Sequence, residues 1–129
     1  MARNVLTNLL PGLKAGADLS SSQYKVVKFA STAGEVVAVS ATTDNAIGVL
    51  QNDPADGEAA LIAITGSIAT CIAGVADLAV GELVGFNTSA QVADHTTDTR
   101  LHIGMAVEAS TAVGDEVSVI LFGLSGHST

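Results

Sequence analysis

The chain has 129 residues, a net charge of −8, three Phe, one Tyr and no Trp, so its apolar content comes mainly from small side chains. The acidic balance excludes a nucleic-acid binder, because such a protein needs a cationic surface to displace the counterions of the phosphates. No apolar run reaches the length needed to span a membrane, and the single cysteine, Cys71, excludes an internal disulfide. The length suits one domain.

Residues 1–22 differ from the rest of the chain and form the first predicted segment. Their leucines have partly helical spacing, but Pro11 and Gly12 interrupt it, and Ser20–Ser22 follow as a polar hinge. We therefore predict an extended N-terminal arm over residues 1–22. Because exposed leucines favour a surface to cover, we predict that the arm binds a partner. The residues predicted to make this contact are Arg3, Leu6, Leu9, Leu10, Leu13 and Lys14.

From Tyr24 onward apolar residues alternate with polar or small ones, which is the period of a β-strand. The predicted strands are 24–30, 36–40, 46–50, 59–65, 68–73, 83–87, 101–108 and 117–122. The alternation is clearest at 101–107, where Ile103 and Met105 lie on the predicted buried face. Many short strands with frequent turns predict an all-β domain over residues 23–124, either a small β-sandwich or a β-barrel. Residues 125–129 are predicted to be a polar C-terminal tail.

Two short motifs recur along the predicted strands. The pattern Gly-acid-x-Val occurs at residues 34–37, 81–84 and 114–117. In this pattern Gly allows a turn, the acid faces water, and the spaced apolar residues enter the core. A second echo relates residues 47–50 to residues 103–106, each beginning Ile-Gly. Two related hairpins would produce these repeats, and so would convergent turn chemistry.

Groups that could support catalysis or bind a metal give only weak signals. The sequence contains no catalytic or nucleotide-binding motif, and Cys71 lies between apolar residues as expected of a core residue. Asp94, His95 and Asp98 could hold a metal, but their segment is typical of a polar loop. The acidic cluster 53–58 lacks the alternating spacing of a calcium loop and is typical of a solvated turn. We therefore predict no enzyme activity and no cofactor.

The order of the strand and turn motifs resembles that of the capsid cement proteins of tailed bacteriophages. The segments that carry the resemblance are 34–37, 46–52, 57–60, 65–67, 78–84, 102–109 and 114–119. Together they run in order through residues 24–122 and leave residues 1–22 uncovered.

This resemblance implies a small structural protein on the outer surface of the virion, made in the host cytoplasm. Its partner would be the major capsid protein, whose neighbouring subunits it would clamp, and it would assemble as a homotrimer. The predicted arm would then supply affinity for the shell. A tail or surface-adhesion β-module that binds a host ligand is the alternative.

Overall fold

The structure is a computed structural model that describes residues 9–94 and 102–122, and this part of the chain contains ten β-strands and no helix. The strands are β1 (Leu9–Ala15), β2 (Val26–Phe29), β3 (Glu35–Ala38), β4 (Ala46–Leu50), β5 (Ala59–Ala63), β6 (Ile68–Ile72), β7 (Leu83–Phe86), β8 (Val92–Asp94), β9 (Gly104–Ala106) and β10 (Glu116–Leu121). The predicted all-β class is confirmed.

The first five strands form a closed barrel in the order β1-β3-β2-β4-β5. All neighbouring pairs are antiparallel except β1 and β3, which run parallel with Ala15 opposite Val36. Small and branched side chains fill the interior, among them Leu19, Leu50 and Ile62. Closure gives each strand two neighbours, which protects edges that would otherwise template aggregation.

The last five strands form a sheet in the order β6-β10-β9-β7-β8, with the same set of antiparallel pairs as the barrel. The outer strands β6 and β8 approach where Ala73 and Val92 form a parallel bridge. There Gly74 N donates to Val92 O at 2.7 Å, as Gly16 N donates to Val36 O at 2.8 Å in the barrel. The chain is therefore a duplication of one five-stranded unit: unit 1 spans residues 9–64 and unit 2 spans residues 65–122.

At one equivalent position in the two units, a glycine allows its strand to approach the neighbouring strand closely. A Cβ at Gly48 would overlap the carbonyl oxygen of Ala63, and a Cβ at Gly104 would overlap that of Ile120. The sequence echo between residues 47–50 and 103–106 therefore marks a true structural repeat.

The Gly-acid motifs, by contrast, do not superpose on one another. Gly34, Gly81 and Gly114 are equivalent to Ala90, Tyr24 and Gly57, and all six have positive φ. In three Gly-acid turns the acid accepts a hydrogen bond from the N–H three residues earlier: Glu58 Oε1 from Ala55 N at 2.8 Å, Glu82 Oε1 from Ala79 N at 2.9 Å, and Asp115 Oδ2 from Ala112 N at 3.1 Å. At residues 81–84 and 114–117 the pattern therefore marks a turn that the acid itself closes.

Unit 2 is open along most of its outer strands because a segment of unit 1 lies between them. Ile72 N donates to Tyr24 O at 3.1 Å, and Val26 N donates to Ala90 O at 2.9 Å. The inserted segment, residues 24–26, therefore takes the place that β8 would occupy beside β6 in a closed barrel. One continuous apolar cluster joins the core of unit 2 to the face of unit 1 that packs on it.

The described part of the predicted arm is a strand of the barrel, so the predicted boundary at residue 22 does not match the structure. Residues 9–15 form β1, and Leu13 and Leu19 pack in the core of unit 1. The Pro-Gly pair at 11–12 shifts the register between β1 and β5 as a bulge and does not end the strand. Residues 1–8 and 123–129, the latter with the predicted tail, lie outside the described residues.

The predicted buried face of 101–107 is only partly correct. Gly104 and Ala106 are buried, Ile103 is buried as predicted, and Met105 is half-buried. Position 104 faces the core and is occupied by glycine, because β9 lies too close to β10 there for a larger residue. Short β8 was not predicted, since three residues give too little alternation.

We predict that Gly48→Ala and Gly104→Ala each destabilise the fold by about 1–3 kcal/mol, because the added methyl group overlaps a backbone carbonyl of the neighbouring strand. Urea unfolding of both variants measures this loss. The exposed Ala109→Ser serves as the control and should leave the midpoint unchanged. A wild-type midpoint for either glycine variant would contradict the close strand approach.

We predict that acid weakens the fold through two turn aspartates. The pKa of Asp115 is lowered by hydrogen bonds from the Thr111 and Ala112 N–H groups, and that of Asp44 chiefly by the Ser40 N–H. A lowered pKa in the folded state gives stability that is present above the ordinary Asp value of 3.8 and is lost as the pH falls through the lower folded value.

Urea titrations between about pH 5 and pH 2 test this, since an unfolded aspartate takes up its proton near the ordinary value of 3.8 and these two folded ones take it up at lower pH. The variants Asp44→Asn and Asp115→Asn should each show a shallower loss of stability on acidification than the wild type. Asp53→Asn, at an exposed carboxylate of unit 1, is the control. Equal slopes for all proteins would rule out this role of the turn acids.

Candidate partner-binding surfaces

Of the six predicted partner-binding residues, two lie outside the described residues and four lie on β1. Arg3 and Leu6 lie outside the described residues. Leu9 starts β1, where its main chain is in register with Ala63 of β5.

The other three predicted residues lie along the same strand of the barrel. Leu10 and Leu13 are half-buried, and Leu13 packs against the core of unit 1. Lys14 is exposed. The strand therefore holds Leu13 as part of the barrel and leaves Lys14 accessible to a partner.

Four apolar side chains form a row across the outer face of unit 2. Leu83 in β7 is in register with Met105 in β9, Met105 with Ile120 in β10, and Ile120 with Ile68 in β6. Register partners of antiparallel strands point to the same face, so the four side chains lie side by side. Leu83 is 43% and Ile120 is 41% exposed. We call these four residues the outer row.

The equivalent row of unit 1 is buried. Val26, Val49 and Ala63 are register partners in β2, β4 and β5, and each is 0% exposed. They belong to the apolar cluster that contains the core of unit 2. Unit 2 therefore covers this row, and the outer row is the equivalent of a packing face.

Phe29 provides a further exposed apolar group, at the end of β2 in unit 1. Its side chain is 55% exposed and lines a shallow groove with Lys28 and Ile47. Beside it Lys28 Nζ lies 3.0 Å from Asp44 Oδ2. The equivalent residue of unit 2, Phe86, is buried.

The candidate chemical groups find no shared site in the described ranges. Burial raises the pKa of the Cys71 thiol, which lies in the core of unit 2. Of the predicted metal ligands only Asp94 is described, while His95 and Asp98 fall outside. Across residues 9–94 and 102–122, no three His, Cys, Asp or Glu side chains are grouped to hold a metal ion. In the same ranges no helix is long and apolar enough to cross a membrane.

Sequence reasoning missed the outer row because it assigned Met105 to the core. The repeated Ile-Gly pair, at residues 47–48 and 103–104, is the sequence feature from which the outer row could have been predicted. Aligning the two halves on Gly48 and Gly104 shows that the next position is apolar in both, as Val49 and Met105.

The chain matches one protein family by sequence and a solved structure by fold. Residues 21–121 match the family model described as phage cement protein, and this range contains every strand from β2 to β10. No curated protein sequence matches the chain.

Among solved structures, the fold is similar to that of the head fiber gp8.5 N base in bacteriophage phi29, with a TM-score of 0.67 and 16% identity. The alignment covers 96% of this chain and 100% of that chain. At this identity the likeness concerns the fold. The resemblance found in the sequence motifs is confirmed by the family match, which extends through both units: this chain belongs to the phage cement protein family.

Proposed function

We propose that the chain binds the outer surface of a phage head and stabilises contacts between major capsid subunits. The observation that carries this proposal is the family match over residues 21–121, which makes the chain a structural protein of the phage capsid. A two-unit β-fold joined by hydrogen bonds and one apolar cluster suits such a role, because a preorganised surface loses little conformational entropy when it binds.

Self-association would multiply modest contacts with the shell. We propose a homotrimer, which presents three identical sets of contacts to neighbouring capsid subunits. Once one set is bound, the others act at a high effective concentration, so weak individual contacts give tight overall binding. The major capsid protein is the proposed partner.

The residues before β1 are the proposed capsid-binding segment. Arg3 would meet carboxylates of the shell, and Leu6 would enter an apolar pocket beside a strand edge. Leu9, Leu10 and Lys14 continue this segment along β1, where Lys14 is exposed. Leu13 packs in the barrel, so its main role is structural.

The proposed function also implies where the protein is made and acts, and that it needs no catalytic residue. The protein would be made in the host cytoplasm and would act on the virion surface. The cement family and the head fiber base are both structural phage proteins. We therefore assign no catalytic residue and no cofactor.

A surface module that binds a host ligand is the second candidate. The similar fold of a head fiber base is compatible with this candidate. It predicts binding to host cell envelopes by the isolated protein, without capsids.

We predict that the purified protein co-sediments with phage capsids and saturates at a fixed stoichiometry. The double variant R3A/L6A should bind about tenfold more weakly or worse, since a loss of about 1.4 kcal/mol corresponds to one factor of ten. The double variant T7A/N8A, in the same segment, is the matched control. Deleting residues 1–16 is unsuitable as a test because it would remove β1.

Wild-type binding by R3A/L6A would contradict the role of the first eight residues. Failure of the wild type to co-sediment would contradict the capsid proposal itself. Binding to host envelopes would then support the second candidate.

A further inference from the structure

We infer that the outer row of unit 2 binds unit 1 of a second copy of this chain, so that copies associate head to tail. This inference rests on the self-association in the proposed function and names the surfaces that meet. It starts from the duplication, because a packing face that unit 1 buries is repeated on unit 2 and stays exposed there.

The terminal unit of a repeat array normally carries polar residues on its outer face. Here the outer row is apolar, and its side chains are larger than their buried counterparts. Leu83, Met105 and Ile120 stand where unit 1 has Val26, Val49 and Ala63. A row of large apolar side chains on a sheet face indicates a protein partner.

Inside the chain, a defined part of unit 2 covers the row of unit 1. It is the core face of unit 2, bordered by β6 and the turn before β8. Three bonds across the boundary identify it: Ile72 N to Tyr24 O at 3.1 Å, Val26 N to Ala90 O at 2.9 Å, and Gln51 Nε2 to Thr70 O at 3.2 Å. Thr70 and Ala90 are buried by this packing and Ile72 is half-buried.

The residues of unit 1 that are equivalent to this border are exposed. The residues that correspond to Thr70, Ile72 and Ala90 are Gly12, Lys14 and Gly34, all of them exposed. Phe29 is 55% exposed, whereas its equivalent Phe86 is buried. Each copy therefore carries one uncovered row on unit 2 and one uncovered surface on unit 1 that is equivalent to the border of the covering surface, because the core residues of unit 1 are enclosed in its barrel.

The contact between copies differs from the internal one in one respect. In unit 1 the gap between β1 and β3 is closed, since Lys14 N donates to Gly34 O at 2.9 Å. A second copy therefore cannot insert a strand there, and side chains must make the contact. Phe29 is the proposed apolar anchor, because a partly exposed aromatic ring provides a large contact area.

Charge favours head-to-tail contact over the pairing of two outer rows. Residues 1–64 hold four of the five cations against six carboxylates, whereas residues 65–129 hold one cation against seven. Glu82, next to the row, is equivalent to Lys25 of unit 1. Two outer rows face to face would bring two strongly acidic units together, whereas head-to-tail contact sets the strongly acidic unit against the less acidic one, which holds most of the cations.

A head-to-tail contact uses two different surfaces. It therefore forms a closed ring when the rotations that relate successive copies add up to one full turn. Three copies related in this way give the homotrimer of the proposed function. Every copy in the ring would have its outer row and its Phe29 surface covered.

Two variants test the inference, with the mass in solution measured by light scattering after size exclusion at micromolar concentration. Ile120→Glu alters the row and Phe29→Glu alters the opposing surface. We expect a wild-type oligomer and a monomer for each variant. An equimolar mixture should form dimers, because the Phe29→Glu copy keeps an intact row and the Ile120→Glu copy keeps an intact Phe29 surface.

Val113→Glu is the matched control, since Val113 is 62% exposed in a turn of unit 2 at the other end of β10, and it should assemble as the wild type does. Circular dichroism checks that each variant is folded; Leu83→Ser and Phe29→Ser replace any variant that is not. A monomeric wild type, an assembled single variant or a mixture that stays monomeric would each overturn the inference. Capsid co-sedimentation is measured separately, so an oligomer that binds no capsid contradicts the proposed function alone.

Discussion

The hydrogen bonds that hold residues 24–26 between β6 and β8 make the two units one body. Ile72 N and Ala90 O find their partners on unit 1, and buried backbone groups must be paired. Without unit 1, one side of unit 2 would expose unpaired strand edges and an open core. The apolar cluster that runs from unit 2 to Val26 and Ala63 adds a second reason for the units to fold together.

This arrangement also accounts for the unusual composition. Close strand approach requires glycine at positions 48 and 104 of the inner faces, and Ala and Val make up most of the rest of the core. The larger Met105 and Ile120 lie on the outer face instead. A core of small residues buries little area per residue, and the shared interface between the units supplies further burial.

The sequence allowed the all-β class and most strands to be predicted, because two-residue alternation and turn residues are local signals. The pairing order and the closed barrel depend on contacts between distant residues and could not be read from such patterns. Strand β1 was not predicted, because Pro11 and Gly12 are as typical of the end of a strand as of the bulge that they form here. Of the predicted partner-binding residues, Leu13 belongs to the core and Lys14 is exposed, a distinction that requires the strand's place in the barrel. The outer row is defined by strand register and by the equivalence of the two units, neither of which is a local sequence signal.

The buried position of Cys71 has a practical consequence. A thiol with a raised pKa carries little thiolate at neutral pH and reacts slowly with alkylating reagents. Since the chain has no other cysteine, a cysteine introduced in an exposed turn would be its single reactive thiol. The native protein is thus a ready scaffold for attaching one fluorophore, epitope or cargo per chain at a chosen position, with no native residue to remove first.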